Sequence, residues 1–148
     1  MSVTVKRANS DFASLKNLAQ SCLDNYTLLH DKMVSKSRKK DFTILFARKG
    51  KKKVGFITGY AEKGKMHIWL FGVLKKVRGK GIGYLLLNKF HMFAAKRGYK
   101  AVTTITFNNY QNKIILSIKA GYRIIGVKYI KEKKDTAIIL EKQIGARK

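Results

Sequence analysis

Between Val77 and Leu86 the chain reads VRGKGIGYLL, with glycine at 79, 81 and 83 and cationic side chains at Arg78 and Lys80. A glycine turn that runs into a helix leaves the first backbone N–H groups of that helix unpaired, and the macrodipole adds partial positive charge there. Glycine also removes the Cβ atoms that would hold a phosphate away from the amides, so the stretch has the chemistry of an anion site with Arg78 and Lys80 at its rim. Two common phosphate loops are excluded. No Gly-Lys-Ser/Thr occurs, which rules out GxxxxGK[ST], and GKGIG lacks the spacing of GxGxxG. Three scattered histidines and one cysteine offer no convincing metal ligand set. Cys22 falls on the apolar face of a predicted helix, where packing rather than nucleophilic chemistry is expected.

The elements that must position this turn follow from periodicity. Ser2 to Ala8 alternates as a strand, and Asn9 or Ser10 is placed to cap a helix carrying Phe12, Leu15, Leu18, Ala19, Cys22 and Leu23 at helical spacing. A loosely helical segment through Met33 leads to the basic run Lys36 to Lys40. Asp41 to Arg48 and Val54 to Glu62 read as a hairpin across a glycine turn, and Met66 to Leu74 suits a central strand through its branched and aromatic residues. The glycine turn comes next, then an apolar helical face on Gly83 to Arg97 that stops at Gly98. Ala101 to Phe107 is a strand, and a helix with asparagine caps runs to about Lys119 and ends at Gly121. Two strands, Tyr122 to Ile130 and Thr136 to Lys142, close the chain around the polar turn Lys131 to Asp135. The order describes an α/β sheet with an antiparallel front and a helical crossover in its middle.

At 148 residues and 45% hydrophobic content the chain is read as one domain, 1–148, with a real core. No stretch reads as a signal peptide or a membrane span, and the single cysteine forms no internal disulfide, so an intracellular, soluble, cytoplasmic protein is expected. Charge is the outlier. Lys and Arg total 33 against 8 Asp and Glu, a net +25, enough to attract a polyanionic partner such as nucleic acid, with an ordinarily solvated surface and compositional bias as the equal alternative.

The residues Arg78, Gly81 and Gly83 after a hydrophobic strand, with AGY at Ala120 to Tyr122, resemble the Gcn5-related N-acetyltransferases (GNAT). In that family the turn follows the pattern [Arg/Gln]-x-x-Gly-x-[Gly/Ala], and the likeness extends over nearly the whole chain. The resemblance implies a mixed, mostly antiparallel sheet of about seven strands with about four helices and a splayed central strand pair. It implies that acetyl-CoA is the cofactor, its pyrophosphate held by Arg78, Gly79, Lys80, Gly81, Ile82 and Gly83, and its pantetheine arm paired with the backbone of Phe71, Gly72 and Val73. The reaction it implies is acetyl transfer to a primary amine through a tetrahedral oxyanion, stabilised by a backbone N–H near Val73.

Several positions depart from the family pattern. The tyrosine that acts as the thiolate's acid stands four residues before the Gly-Phe pair, and Ser117 is there, a weaker donor. The asparagine eleven residues before that glycine is Tyr110 here, so Asn109 or Asn112 would supply the cofactor contact and Tyr110 would take the acid's role. The glutamate some relatives use as base is missing near Lys65, Met66 and His67. His67 replaces it as the candidate base, at the separation from Arg78 that arylalkylamine N-acetyltransferases show, with packing beside Trp69 as its structural alternative. Its strand alternation would place it on one face with Trp69, Phe71 and Val73. Glu62 is a second candidate. Lys36 to Lys40 and Lys131 to Lys134, with Tyr26 and Tyr129, would border the acceptor cleft. That basic rim points to an amine on an aminoacyl-tRNA, a modified base or a nucleic-acid-bound protein. A catalytically impaired nucleic-acid-binding module and a small-molecule amine acetyltransferase are the alternatives.

Overall fold

Apolar residues alternate where one strand face meets solvent and run on without interruption where both faces are covered, and this separates the rim of the sheet from its centre. The computed structural model describes residues 2–23 and 30–145. Val3–Arg7 (β1) alternates at one edge, Thr43–Lys49 (β2) and Lys52–Glu62 (β3) are buried through their middles, and Lys65–Val73 (β4) follows across a tight turn. Ala101–Phe107 (β5), Arg123–Ile130 (β6) and Asp135–Gln143 (β7) complete a seven-stranded sheet of order β1-β2-β3-β4-β5-β7-β6. Every neighbouring pair is antiparallel except β4 with β5, which is parallel.

Helices cover both faces. Phe12–Cys22 (α1) and His30–Ser37 (α2) bury Leu15, Leu18, Cys22 and Met33 against Ile44, Phe46, Phe56 and Tyr60 of the sheet. Ile82–Lys96 (α3) and Gln111–Lys119 (α4) close the other face, where Leu86, Leu87, Phe90 and Ala94 pack on Ile57, Ile68, Val102 and Leu140. The α3 helix is the crossover that returns β5 parallel to β4, as βαβ geometry requires.

Two capping expectations are corrected. Asp11, not Asn9 or Ser10, caps α1 by accepting the Ser14 N–H at 3.1 Å. Asn9 instead donates to the Phe42 carbonyl at 3.0 Å and accepts the Ile44 N–H at 2.9 Å, fastening the end of β1 to the start of β2. The α4 helix begins after Tyr110 with no side-chain cap, so neither Asn109 nor Asn112 serves there. Its other end is closed by Lys142, whose ammonium donates to the Ala120 carbonyl at 2.7 Å and lies where a Cβ on Gly121 would clash. Among the described residues no helix is long and apolar enough to cross a membrane.

Candidate active site

β4 carries one residue too many for its partner. Leu70 pairs with Thr58 and Ile68 with Gly59, so Trp69 is a bulge. Past it, β4 parts from β5: among the described residues their pairing covers Met66, His67 and Ile68 opposite Val102, Thr103 and Thr104. The opening between the two strands therefore begins at the bulge, and Phe71, Gly72 and Val73 form its wall. The Leu74 N–H reaches the Val54 carbonyl on β3 at 2.9 Å. Alternation along the strand then turns the backbone groups of Phe71 and Val73 the other way, into the opening.

The bulge also corrects the face assigned to His67. Met66 and Ile68 lie in the α3-side core, and beyond the bulge it is Phe71 and Val73 that pack there, whereas Trp69 and Leu70 pack on the α1 side. His67 meets Tyr60, a member of the α1-side cluster, at 5.7 Å between ring centroids. It thus shares a side with Trp69 and not with Phe71 or Val73, because one extra residue reverses the alternation.

At the far end of this wall the chain makes a short 3-10 turn, Lys75–Val77, and enters the glycine segment. Gly79 and Gly81 have φ of +79° and +83°, and a Cβ built on either would meet nothing within 4 Å. Gly83 differs. It is the second residue of α3, and a Cβ there would stand 3.4 Å from Leu116 Cδ2, so it serves the packing of α4 over the start of α3. No side chain caps α3, and its first intrahelical bond runs from the Leu85 N–H to the Gly81 carbonyl at 3.0 Å. The amides of Ile82, Gly83 and Tyr84 are the ones such a helix start offers to an anion. Lys80 is exposed beside them. Arg78 is exposed as well and is held by the backbone: Nε donates to the Val73 carbonyl at 2.9 Å and an Nη to the Cys22 carbonyl at 3.0 Å, tying the end of β4 to the end of α1. That contact depends on Gly72, where a Cβ would come within 2.7 Å of Cys22 Cβ. Burial pushes the Cys22 thiol up to about 11, in keeping with a core residue rather than a nucleophile.

At the apex of the opening His67 Nδ1 lies 2.9 Å from Thr103 Oγ1. Burial lowers its pKa, the Glu62 carboxylate opposes that, and the Lys36 ammonium adds to it, so the imidazole is neutral at neutral pH. Lys36 Nζ donates to the Tyr60 hydroxyl at 3.1 Å and stands 5.9 Å from the Trp69 ring, and Lys39 Nζ lies 5.2 Å from the Tyr60 ring. Two lysines of the basic run are therefore drawn onto the aromatic pair beside His67. The second lysine cluster reaches the other margin, where Lys133 Nζ is 4.7 Å from the Phe107 ring. Tyr129 is exposed on β6, and Tyr26 lies outside the described residues.

The residues drawn from α4 separate. Ser117 is half-buried, and its carbonyl accepts the Tyr122 N–H at 2.9 Å. Tyr110 is 47% exposed and stands edge-on to Phe107 at the far end of β5, about 13 Å of strand from the Thr103 that meets His67. Asn112 is exposed, as is Asn109, whose N–H donates to Asp135 at 3.4 Å. Lys113, absent from the sequence reading, points into the opening and donates to the Phe71 carbonyl at 2.8 Å. Burial pushes its pKa down to about 8, with the Arg78 charge acting the same way and Cys22 opposing. One signal was available: 113, 116, 117 and 120 form the inward stripe of a helix, and a lysine in that stripe needs a reason.

The chain matches the model of the acetyltransferase (GNAT) family over residues 12–121 and belongs to that family. Acetyl-CoA is accordingly its cosubstrate. None of the curated proteins matches it in sequence. Among solved structures it is similar to the ribosomal-protein-S18-alanine N-acetyltransferase of Escherichia coli, at TM-score 0.86 and 14% identity over 99% of this chain and 97% of that one. It is similar also to Ard1 of Thermoplasma volcanium, at 0.83 and 19% over 97% and 98%. A third is a GNAT family acetyltransferase of Elizabethkingia anophelis with acetyl-CoA bound, at 0.80 and 19% over 95% and 97%. At such identities the likeness is one of fold.

Proposed function

We propose that this chain transfers an acetyl group from acetyl-CoA to a primary amine, and that the acceptor is carried on or near nucleic acid. The observation that supports the reading best is the opening of β4 from β5 at the Trp69 bulge, which leads directly to an uncapped helix start behind Gly79 and Gly81. The residues fit the cosubstrate. The amides from Gly79 to Tyr84 hold the pyrophosphate, with Lys80 as its countercharge, and the inward backbone groups of Phe71 and Val73 pair with the pantetheine amides. Bound there, acetyl-CoA supplies an activated thioester carbonyl. A backbone N–H of the β4 wall stabilises the oxyanion, and His67 takes the proton of the attacking amine. In the tautomer whose Nδ1–H donates to Thr103 Oγ1, it is the His67 Nε2 lone pair that takes that proton.

A polyanion-borne acceptor is supported by the net charge of +25 and by Lys36, Lys39 and Lys133 at the two margins of the opening. Isothermal titration with acetyl-CoA tests the cosubstrate assignment: binding is expected, and Gly81→Glu abolishes it by placing a carboxylate and a strained left-handed backbone in the turn. Unchanged binding by that variant would remove the glycine turn from the site. A second reading, a nucleic-acid-binding module without turnover, draws on Ser117 at the acid position. Release of CoA with any member of an amine panel excludes it.

A further inference from the structure

Lys113 is a half-buried cation to which the proposed transfer gives no role. It lies one helical turn before Ser117 on the same stripe of α4, and its ammonium reaches across the opening to the Phe71 carbonyl at 2.8 Å. That carbonyl faces the path of the pantetheine arm, and only two methylene groups separate the arm's last amide nitrogen from its sulfur. The lysine ammonium is thereby held against the stretch of wall along which the sulfur would lie.

We infer that Lys113 is the proton donor to the sulfur that leaves acetyl-CoA, in place of the tyrosine that this chain lacks at Ser117. The inference rests on the reading of the opening as the acetyl-CoA cleft. In the transfer the acceptor nitrogen forms a bond to the acetyl carbon and the carbon–sulfur bond breaks, its electron pair going to sulfur. A proton passes from Lys113 Nζ to that sulfur, giving the free thiol of CoA and a neutral lysine. His67 takes the proton of the amine and releases it to solvent, and solvent recharges Lys113. The environment suits the task. Among the described residues, the titratable and charged groups acting on Lys113 are Arg78, from the turn after β4, and Cys22, from α1. Burial together with the Arg78 charge brings the ammonium down to about 8, near the range of a thiol, so the proton moves without a large uphill step. Ser117 offers no such match, since an alcohol holds its proton far more tightly than a thiol does.

The contact can be read without knowing the acceptor. CoA, the thiol product, is bound to the protein and its thiolate is followed by ultraviolet absorbance as pH is raised, while acetyl-CoA binding is measured in parallel by calorimetry. With the native chain the bound thiol ionises about one pH unit or more below free CoA, because a cation stands beside the sulfur. Lys113→Met returns it to the free value, and Lys113→Arg, which keeps the charge, retains the shift. Nitrogen NMR of the lysine side chains adds a readout that bulk structure would not move: Lys113 titrates higher in the CoA complex than in the acetyl-CoA complex, since a proton is shared with a thiol and not with a thioester. A bound thiol that ionises at the free value in the native chain overturns the inference. So does tighter acetyl-CoA binding by Lys113→Met with an unaltered thiol, which would make Lys113 a mere occupant of the cleft. Failure of the native chain to bind acetyl-CoA would instead overturn the assignment of the cleft, and the inference with it.

Discussion

Two histidines in this chain are kept neutral by burial, and their surroundings separate their roles. His91 on α3 lies with Nε2 2.6 Å from the Tyr122 hydroxyl, and burial, followed by the Lys142 charge, pushes its pKa from 6.5 down to about 4. Between those values the unfolded chain binds a proton that the native chain refuses. The His91 contribution to stability is therefore complete above pH 6.5 and is expected to fall by about 3 kcal/mol as pH drops towards 4. Urea unfolding at neutral pH and near pH 4 measures the loss, and His91→Gln, which keeps a partner for Tyr122, is expected to show less of it. An identical acid response in the variant would assign the loss to other groups. His67 sits at the apex of the cleft instead. If it is the base, its lowered pKa places the acid limb of the transfer rate below the ordinary histidine value, because the neutral form would be the active one. His67→Ala is expected to retain acetyl-CoA binding in calorimetry while turnover falls by about 10²–10⁴-fold.

At the scale of elements, the geometry of the cleft hangs on how closely β3 approaches β4 at the bulge. A Cβ on Gly59 would lie 2.2 Å from the His67 carbonyl oxygen and 2.7 Å from the Phe90 ring, with backbone on one side and a fully buried side chain on the other. Neither can yield cheaply. Gly59→Ala is expected to cost about 3 kcal/mol or more in urea unfolding and to weaken acetyl-CoA binding along with it, since the strands must part where the cleft begins. A stability within about 0.5 kcal/mol of the native chain would show that the bulge is adaptable. The identity and order of these elements were legible in the sequence, because burial on one or two faces imposes the periods from which they were read. Their ends were less so. Asn9, Ser10 and Asp11 are all competent caps, and only the pairing of β1 with β2, which engages Asn9, leaves Asp11 for the helix.

At the scale of the whole molecule the positive charge is poorly compensated. Among the described residues three of the carboxylates form ion pairs: Asp11 with Lys53 at 3.2 Å, Asp41 with Arg97 at 2.9 Å, and Glu141 with Lys65. These pairs fasten the fold at its seams and leave the excess of lysine facing outward. If that field serves a nucleic-acid-borne acceptor, affinity for a short RNA or DNA duplex is expected to fall about 10³-fold between roughly 50 and 200 mM salt, as for six or so phosphate contacts. Fluorescence anisotropy at the two salt levels checks it. Negligible binding at the lower salt would leave acetyl transfer standing and remove the polyanion from the acceptor.

The amino-acid sequence by itself determined the glycine turn, the strand before it and the helix after it, because each is a local object whose parts are a few residues apart. The resemblance to the family added that Ser117 stands where a stronger acid is usual. Tertiary structure decided the rest. Arg78 is bound to Cys22, 56 residues away, and Lys113 to Phe71, 42 residues away. His67 is turned from Phe71 by a single bulged residue that exists only in the pairing of β4 with β3. Periodicity describes what one helix or strand presents to its surroundings. Which carbonyl a cation finds depends on how separate elements meet, and that is set by packing across the sheet.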